Sequence, residues 1–147
     1  MFNIGMRMLH SREDAEDVVQ DSFIDAFRNL DRFRYESTFG AWLKRIVINK
    51  CINYINKKRI ATSPLEDHDY KLHVPEEEVR SDEQYEIKKV KAGIAQLTDG
   101  YREIITLYLI EGYDHREISA MLNISEGTSK SQYHRAKKKL LEILKSA

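Results

Sequence analysis

The stretch HREISAMLNISEGTSKSQYHRAKKKL, residues 115–140, has the pattern of a short helix, a turn and a longer helix rich in basic residues. Asn123 is a residue type that adopts the left-handed conformation of a tight turn, and Ser125 is a good N-cap for the helix that follows. Apolar residues at helical spacing predict a buried seam, formed by Ile118, Leu122, Ile124, Tyr133, Ala136 and Leu140. The pattern therefore predicts a helix-turn-helix.

The second helix of this motif has the composition of a helix that enters the major groove of DNA. The N-terminal half of such a helix meets base edges, while cations along it meet phosphates. The polar and basic residues predicted for its outer face are Lys130, Ser131, Gln132, His134, Arg135 and Lys137 to Lys139, with Thr128 in the turn before them. A C-terminal helix that is merely solvated by its lysines is the alternative interpretation.

The acidic stretch ATSPLEDHDYKLHVPEEEVRSDE, residues 61–83, has the composition of a linker. It contains the two prolines of the chain, few apolar residues and no helical period. We expect a linker over residues 62–81 between two modules, residues 1–61 and 82–147. No alternating strand pattern competes with the helical one, so the predicted fold is all-α, with two small helical modules joined by a flexible linker.

Four helices are predicted in the C-terminal module, over residues 82–96, 99–111, 115–122 and 126–146. In the N-terminal module, a short helix precedes two long ones. The first long helix has Ser11 as its N-cap and an apolar stripe of Ala15, Val18, Val19, Phe23, Ala26, Phe27 and Leu30. The second follows a loop over residues 34–38, and its apolar residues are Phe39, Trp42, Leu43, Ile46, Val47 and Ile55.

The net charge of zero conceals blocks of opposite sign. Residues 10–27 carry six acids against one base, and residues 28–61 carry nine bases against two acids. Residues 62–86 carry nine acids against two bases, and residues 129–147 carry six bases against one acid. Such segregation indicates separate surfaces for different partners, because an acidic face repels DNA and suits a basic protein surface.

The acidic block places polar residues on the first long helix, away from its apolar stripe. These residues are Asp14, Asp17, Gln20 and Asp21. They have few basic neighbours, which favours a docking surface for a protein, although an ordinary solvated face is the alternative.

The second long helix carries the first basic block. Its polar residues include Lys44, Arg45, Asn49, Lys50, Asn53, Lys57, Lys58 and Arg59. Single-stranded DNA is bound by cations of this kind together with aromatic stacking platforms. We expect Phe39 and Trp42 in the core rather than at such a platform, and Tyr35 in the preceding loop to be more accessible.

The sequence offers little support for an enzyme. It has no phosphate-binding glycine loop, nucleophile elbow or H-E-x-x-H pair. Asp67, His68, Asp69 and His73 lie close together, but metal ligands need fixed positions and these lie in the predicted linker, so we expect no metal and no cofactor. Cys51 is expected to be simply packed. With no apolar run of about 18–20 residues and no signal-peptide core, a cytoplasmic protein without membrane insertion is expected.

These residues together resemble a bacterial RNA polymerase sigma factor of the extracytoplasmic-function (ECF) subfamily. REDAEDVVQDSFIDAFRNLDRF, residues 12–33, is similar to conserved region 2.2, and FGAWLKRIVINKCINYINKKR, residues 39–59, is similar to regions 2.3 and 2.4. YREIITLYLIEGYDHREISAMLNISEGTSKSQYHRAKKKL, residues 101–140, is similar to region 4. The resemblance implies a non-catalytic factor that binds core RNA polymerase and directs promoter-specific initiation.

The resemblance also implies a role for each block of residues. The acidic helix of the family binds the clamp helices of the polymerase β′ subunit, which assigns core binding to Asp14, Asp17, Gln20 and Asp21. Residues implied at the melted minus-ten element are Arg34, Tyr35, Glu36 and Ser37 around a flipped base, Asn49 behind its pocket, and Lys44, Arg45, Lys57, Lys58 and Arg59 at the backbone. Residues implied at the minus-thirty-five element are Thr128, Lys130, Ser131, Gln132, His134, Arg135 and Lys138. Residues 101–111 are implied to meet the β flap, and an anti-sigma factor is expected as a further partner.

Several positions depart from the family pattern. Few residues precede Arg12, so we expect either that most of region 2.1 is missing or that the chain starts late. Asn53 stands where the family often has Asp, which is expected to alter upstream promoter contacts. Ser129 stands where Val is usual, which is expected to loosen or retune the recognition helix. Gln132 replaces a common Arg and removes one phosphate contact with its salt dependence.

A stand-alone helix-turn-helix regulator that binds duplex DNA without polymerase is the alternative function. Such a regulator has no need for the basic helix and its preceding loop in the N-terminal module. A metal-dependent enzyme that uses the linker is a third, weaker hypothesis.

Overall fold

The computed structural model describes residues 1–61 and 82–146, and all regular elements within these ranges are helical. The helices are α1 Phe2–Leu9, α2 Arg12–Arg28, α3 Phe39–Ala61, α4 Asp82–Ala95, α5 Asp99–Ile105, α6 His115–Leu122 and α7 Glu126–Ser146. A 3-10 turn, Leu30–Arg32, follows α2, and a π-helical segment, Thr106–Ile110, continues α5. The predicted all-α fold is confirmed.

The chain divides into two compact units, Met1–Leu65 and Glu66–Ala147. The module boundaries predicted at residues 61 and 82 stay a prediction, because the linker proposed between them, with Asp67, His68, Asp69 and His73, lies outside the described residues.

The first unit packs α1, α2 and α3 against one another. Ser11 caps α2 as predicted, since its hydroxyl accepts a hydrogen bond from the Asp14 N–H at 3.3 Å. The core combines Ile4, Met8 and Leu9 of α1, Ala15, Val18 and Ala26 of α2, and Leu43, Val47, Ile48, Cys51, Ile52 and Ile55 of α3. Cys51 is fully buried in this core, in agreement with the packing role expected from the sequence.

The buried face of α2 differs from the predicted apolar stripe. It consists of Ala15, Val18, Ser22 and Ala26, whereas Phe23 and Phe27 are exposed. Leu30, which follows α2, is exposed as well. Small residues allow α2 to lie close to its neighbours, and the Ser22 hydroxyl can be buried because it donates a 2.6 Å hydrogen bond to the Val18 carbonyl. The predicted apolar stripe is therefore only partly buried, because Phe23, Phe27 and Leu30 lie outside the core.

Phe39 is a second correction to the predicted core. It is the first residue of α3 and remains exposed, while Trp42 and Ile46 are half-buried. Phe39 and Trp42 pack with Phe33, at ring-centroid distances from Phe33 of 5.9 and 5.2 Å. The two aromatic side chains thus border the loop before α3 rather than filling the centre of the unit.

In the second unit, α7 packs against α4, α5 and α6. Its core contains Ile94, Leu97, Ile104, Ile105, Leu107, Ile118, Ala136 and Leu140. Gly93 allows α4 to approach α7 closely, since a Cβ atom there would lie 3.0 Å from Leu140 Cδ1. The predicted helix over 99–111 is present as α5 and the π-helical segment, and Gly112 ends it with a φ of 77°.

The helix-turn-helix is formed by α6 and α7 with the boundaries predicted from the sequence. Asp114 caps α6 by accepting from the Glu117 N–H at 2.8 Å, and Asn123 adopts the left-handed conformation with φ 54°. Ser125 caps α7 by accepting from the Thr128 N–H at 3.0 Å. In the predicted seam, Ile118, Ala136 and Leu140 are buried and Leu122, Ile124 and Tyr133 are half-buried.

Candidate functional site

The acidic side of α2 is a solvent-facing surface of the first unit. Asp17, Gln20 and Asp21 are exposed, and Asp14 is half-buried near the N-cap. Asp17, Gln20 and Asp21 thus lie on the exposed side of α2, as predicted, whereas Asp14 lies one turn before the buried Val18 and is only partly accessible. The carboxylates of Asp17 and Asp21 are available to a positively charged partner.

Exposed apolar side chains continue this acidic surface along α2. Ile24 and Phe27 follow Asp17 and Gln20 at helical spacing, and Phe27 is 66% exposed. Phe23 lies beside them and is also exposed. A surface that combines acids with large apolar groups has the composition of a protein-docking site rather than of a merely solvated helix. The sequence analysis placed Phe23 and Phe27 in the apolar stripe of α2 and did not predict their exposure. The spacing of the small residues Ala15, Ser22 and Ala26 is the signal that indicates which face is buried.

The loop between the 3-10 turn and α3 presents an aromatic side chain to solvent. Arg34, Tyr35, Glu36 and Ser37 are all exposed. Tyr35 has a φ of 58°, and its ring centroid lies 4.6 Å from that of Phe33. Thr38 anchors the end of the loop, since its hydroxyl accepts from the Ala41 N–H at 3.2 Å.

Helix α3 carries the predicted cations beside this loop and towards its own C-terminus. Asn49, Lys57 and Arg59 are exposed, and Lys44, Arg45 and Lys58 are half-buried. Lys50, by contrast, joins the two long helices, because its Nζ lies 2.6 Å from Asp25 Oδ2 on α2. Lys50 therefore forms an ion pair between the acidic helix and the basic one within the first unit.

The outer side of α7 presents most of the residues predicted to contact DNA. Gln132 is half-buried, and the exposed residues are Thr128, Lys130, Ser131, His134, Arg135 and Lys137 to Lys139. Thr128 is held in place because Ser125 Oγ lies 2.7 Å from its hydroxyl oxygen. Lys130 Nζ lies 3.7 Å from Glu126 Oε1, an exposed ion pair that a phosphate can replace at little cost.

Two features of the described residues bear on other classes of function. No helix there is both long and apolar enough to cross a lipid bilayer. Within the same ranges, no three His, Cys, Asp or Glu side chains are grouped so that they could hold a metal ion.

Comparison with known families identifies both units. Residues 1–60 match the family described as Sigma-70 region 2, and residues 87–140 match the family described as Sigma-70, region 4. The chain is 34% identical over 139 residues to an ECF RNA polymerase sigma-E factor of Haemophilus influenzae, with 86% of this chain and 72% of the relative covered. It is 32% identical over 157 residues to the ECF RNA polymerase sigma factor SigW of Bacillus subtilis, with 99% of this chain and 83% of the relative covered.

The chain belongs to the ECF subfamily of RNA polymerase sigma factors. Its function is to direct RNA polymerase to promoters. The resemblance stated from the sequence is thereby confirmed. The stand-alone regulator gains no support, because the relatives from Haemophilus influenzae and Bacillus subtilis are sigma factors.

Solved structures, one of them of a sigma factor, have the same fold. One is RpoE in complex with the anti-sigma factor NepR from Bartonella quintana, which has a TM-score of 0.68 and 25% identity and covers 98% of this chain and 89% of its own. Another is CnrH in complex with the cytosolic domain of CnrY, with a TM-score of 0.58 and 28% identity, covering 99% of this chain and 80% of its own.

Proposed function

We propose that this sigma factor divides promoter recognition and polymerase binding among three surfaces. The acidic and apolar side of α2 binds core RNA polymerase, the loop before α3 and the cations of α3 bind the melted minus-ten element, and the outer side of α7 binds the minus-thirty-five element. The observation that carries the proposal is the segregation of charge between α2, which is acidic, and α3 and α7, which are basic.

On α2, we assign polymerase binding to Asp14, Asp17, Gln20 and Asp21 and extend the surface to Phe23, Ile24 and Phe27. The acids meet basic side chains of the β′ clamp helices and steer the encounter. The exposed aromatic rings supply the apolar area that charged side chains alone do not.

On the second unit, we assign the contact with the β flap to Leu109 and Ile110. Residues 102–107 are buried, and these two are the exposed large apolar residues between 101 and 111.

At the minus-ten element, Tyr35 forms a stacking platform for the unpaired base. Arg34, Glu36 and Ser37 surround it, Asn49 lies behind the pocket, and Lys44, Arg45, Lys57, Lys58 and Arg59 meet backbone phosphates. Stacking on an aromatic ring contributes about 1–3 kcal/mol per base, which helps to offset the cost of unpairing the duplex. The chain thus captures the opened strand, while the polymerase carries out the chemistry and the sigma factor itself catalyses nothing.

At the minus-thirty-five element, the N-terminal half of α7 reads base edges. Its first turns carry Thr128, Lys130, Ser131, Gln132 and His134, and Arg135 and Lys138 reach phosphates further along.

Because the solved relatives RpoE and CnrH are bound to NepR and to the cytosolic domain of CnrY, we also propose that a protein regulator of this chain covers its polymerase-binding surfaces. We place the protein in the cytoplasm, where the polymerase acts.

Copurification of the tagged full chain with core RNA polymerase tests the proposal. Reversing the charge of Asp17 and Asp21 with Asp17→Lys and Asp21→Lys places like charges against a basic partner and is expected to weaken binding by about tenfold or more. The matched control is Glu83→Lys with Glu86→Lys, which makes the same charge change at exposed positions of α4. Equal retention of polymerase by both double variants would refute the role of α2.

A further inference from the structure

The two helices of the helix-turn-helix are joined by a polar contact between Ser129 and His115. Ser129 Oγ of α7 lies 2.9 Å from His115 Nδ1 at the start of α6. We propose that this hydrogen bond makes Ser129 and His115 positioning residues, which set the orientation of α7 and thereby influence the choice of minus-thirty-five base pairs. The inference rests on the role of α7 proposed above.

Burial makes this hydrogen bond necessary. Ser129 is 0% exposed, although it stands next to Thr128 and Lys130, which are on the surface. A buried hydroxyl destabilises the folded state unless it has a partner. Its own backbone N–H already donates to the Ser125 carbonyl at 3.0 Å. The bond to His115 therefore satisfies the side chain of Ser129, and it does so in a restricted range of angles.

The partner imidazole is itself held in a fixed position. The ring of His115 stacks on that of Tyr108, with centroids 4.6 Å apart and an interplanar angle of 18°. Tyr133 completes the cluster, with its ring centroid 4.3 Å from that of Tyr108 and 5.6 Å from that of His115. Because Tyr108 belongs to the π-helical segment and Tyr133 to α7, three elements meet around the imidazole and restrict its rotation.

The hydrogen bond of Ser129 determines how α7 presents its exposed side chains to the base edges of DNA. Thr128, Lys130 and Ser131 radiate from the same turn of α7 as Ser129. A rotation of α7 about its axis therefore moves all these side chains relative to the base edges. A purely apolar side chain would fill the space of Ser129 through contacts that have no preferred direction, so it would not specify this rotation.

The test uses the full chain assembled with core polymerase. Transcription is measured from promoters that differ at each minus-thirty-five base pair and share one minus-ten element. Ser129→Val and His115→Phe each remove one partner, and each is expected to change the relative preference among base pairs by roughly threefold to tenfold. His115→Asn can place an amide near the former Nδ1 position, and we expect it to retain the wild-type preference.

Two further variants separate positioning from stability. The double variant Ser129→Val with His115→Phe replaces both polar partners by apolar ones, so its Tm is expected to recover relative to the single variants while the altered preference persists. Ser119→Val is the matched control, because Ser119 Oγ donates to the Arg116 carbonyl of its own helix at 2.7 Å. It is expected to keep the wild-type preference.

The possible results distinguish this inference from the function on which it rests. Wild-type preference in both single variants and in the double variant would overturn the inference alone, whether or not Tm falls. A wild-type chain that is indifferent to the minus-thirty-five sequence would overturn the proposed role of α7, and the inference with it.

Discussion

Tyr35 combines a costly backbone conformation with an exposed aromatic ring. Its φ of 58° lies in the left-handed region, where a bulky residue costs about 1–3 kcal/mol. Its side chain is 84% exposed, so burial within the described part of the first unit does not compensate for this cost. The ring of Tyr35 lies beside that of Phe33, with 4.6 Å between the centroids, and the rest of the side chain is open to solvent.

Replacement of Tyr35 tests this role at the level of one residue. Tyr35→Ala is expected to weaken the binding of a single-stranded minus-ten oligonucleotide to the polymerase holoenzyme by about 1–3 kcal/mol, because one stacking surface is lost. Fluorescence anisotropy of a labelled oligonucleotide measures the effect. Tyr85→Ala, at an exposed tyrosine of α4, is the control and should leave the affinity unchanged. Equal affinities for the two variants would argue against Tyr35 as the platform.

The stability of the second unit depends on alkaline pH through the phenol of Tyr133. Burial, and secondarily the charge of Tyr108, raises the pKa of the Tyr133 phenol above its ordinary value of 10.0. The folded state therefore binds the phenol proton more tightly than the unfolded state. The contribution of this difference to the free energy of unfolding is present below pH 10.0 and is lost as the pH rises through the raised pKa.

Thermal melting followed by circular dichroism over about pH 9 to 11 checks this consequence. Wild type is expected to lose more Tm across this range than Tyr133→Phe, which has no phenol to ionise. Trp42 fluorescence reports separately on the first unit and serves as an internal control. Parallel Tm curves for the two proteins would contradict the assignment of this alkaline loss to Tyr133.

At the level of helices, the sequence predicted element positions better than buried faces. Capping depends on a few neighbouring residues, so it can be predicted from the sequence. Accordingly, α2 begins after Ser11, α6 ends at Asn123 and α7 begins after Ser125, as the pattern indicated. The buried face of α2 depends on how closely α1 and α3 approach it, and apolarity alone selected Phe23 and Phe27 in place of Ser22. Likewise, the partner of Ser129 comes from a contact between residues 14 positions apart, which periodicity does not reveal.

Close helix packing in the first unit leads to opposite expectations for two glycines. A Cβ atom on Gly5 would lie 3.2 Å from Ala15 Cβ on α2, whereas one on Gly40 would have nothing within 4 Å. Gly5→Ala is expected to destabilise the unit by about 1 kcal/mol, because crowding outweighs the gain in helix propensity. Gly40→Ala should stabilise it by about 0.4–1 kcal/mol.

Urea unfolding followed through Trp42, the single tryptophan of the chain, measures both changes in the unit that contains them. Stabilisation by Gly5→Ala would show that α1 and α2 can separate without cost. The contact between Gly5 and Ala15 would then not determine the packing of these helices.

For the molecule as a whole, neutrality is compatible with DNA binding because the charges are segregated. The acidic α2 and basic α3 lie side by side in the first unit and are joined by Lys50 and Asp25, with 2.6 Å between their charged atoms. A second basic surface lies on α7 of the other unit. With 24 cations balanced by 24 acids, we expect weak promoter binding by the free chain and strong binding once polymerase occupies the acidic surface.

Reconstituted transcription tests whether this chain directs RNA polymerase to promoters. Core polymerase is combined with the full chain and a library of promoters, and the start sites of the transcripts are mapped. We predict discrete start sites that share minus-thirty-five and minus-ten elements and that are absent with core polymerase alone or with the Asp17→Lys, Asp21→Lys variant. Transcripts whose start sites are the same with and without the chain, together with tight binding of the free chain to duplex DNA, would contradict the account.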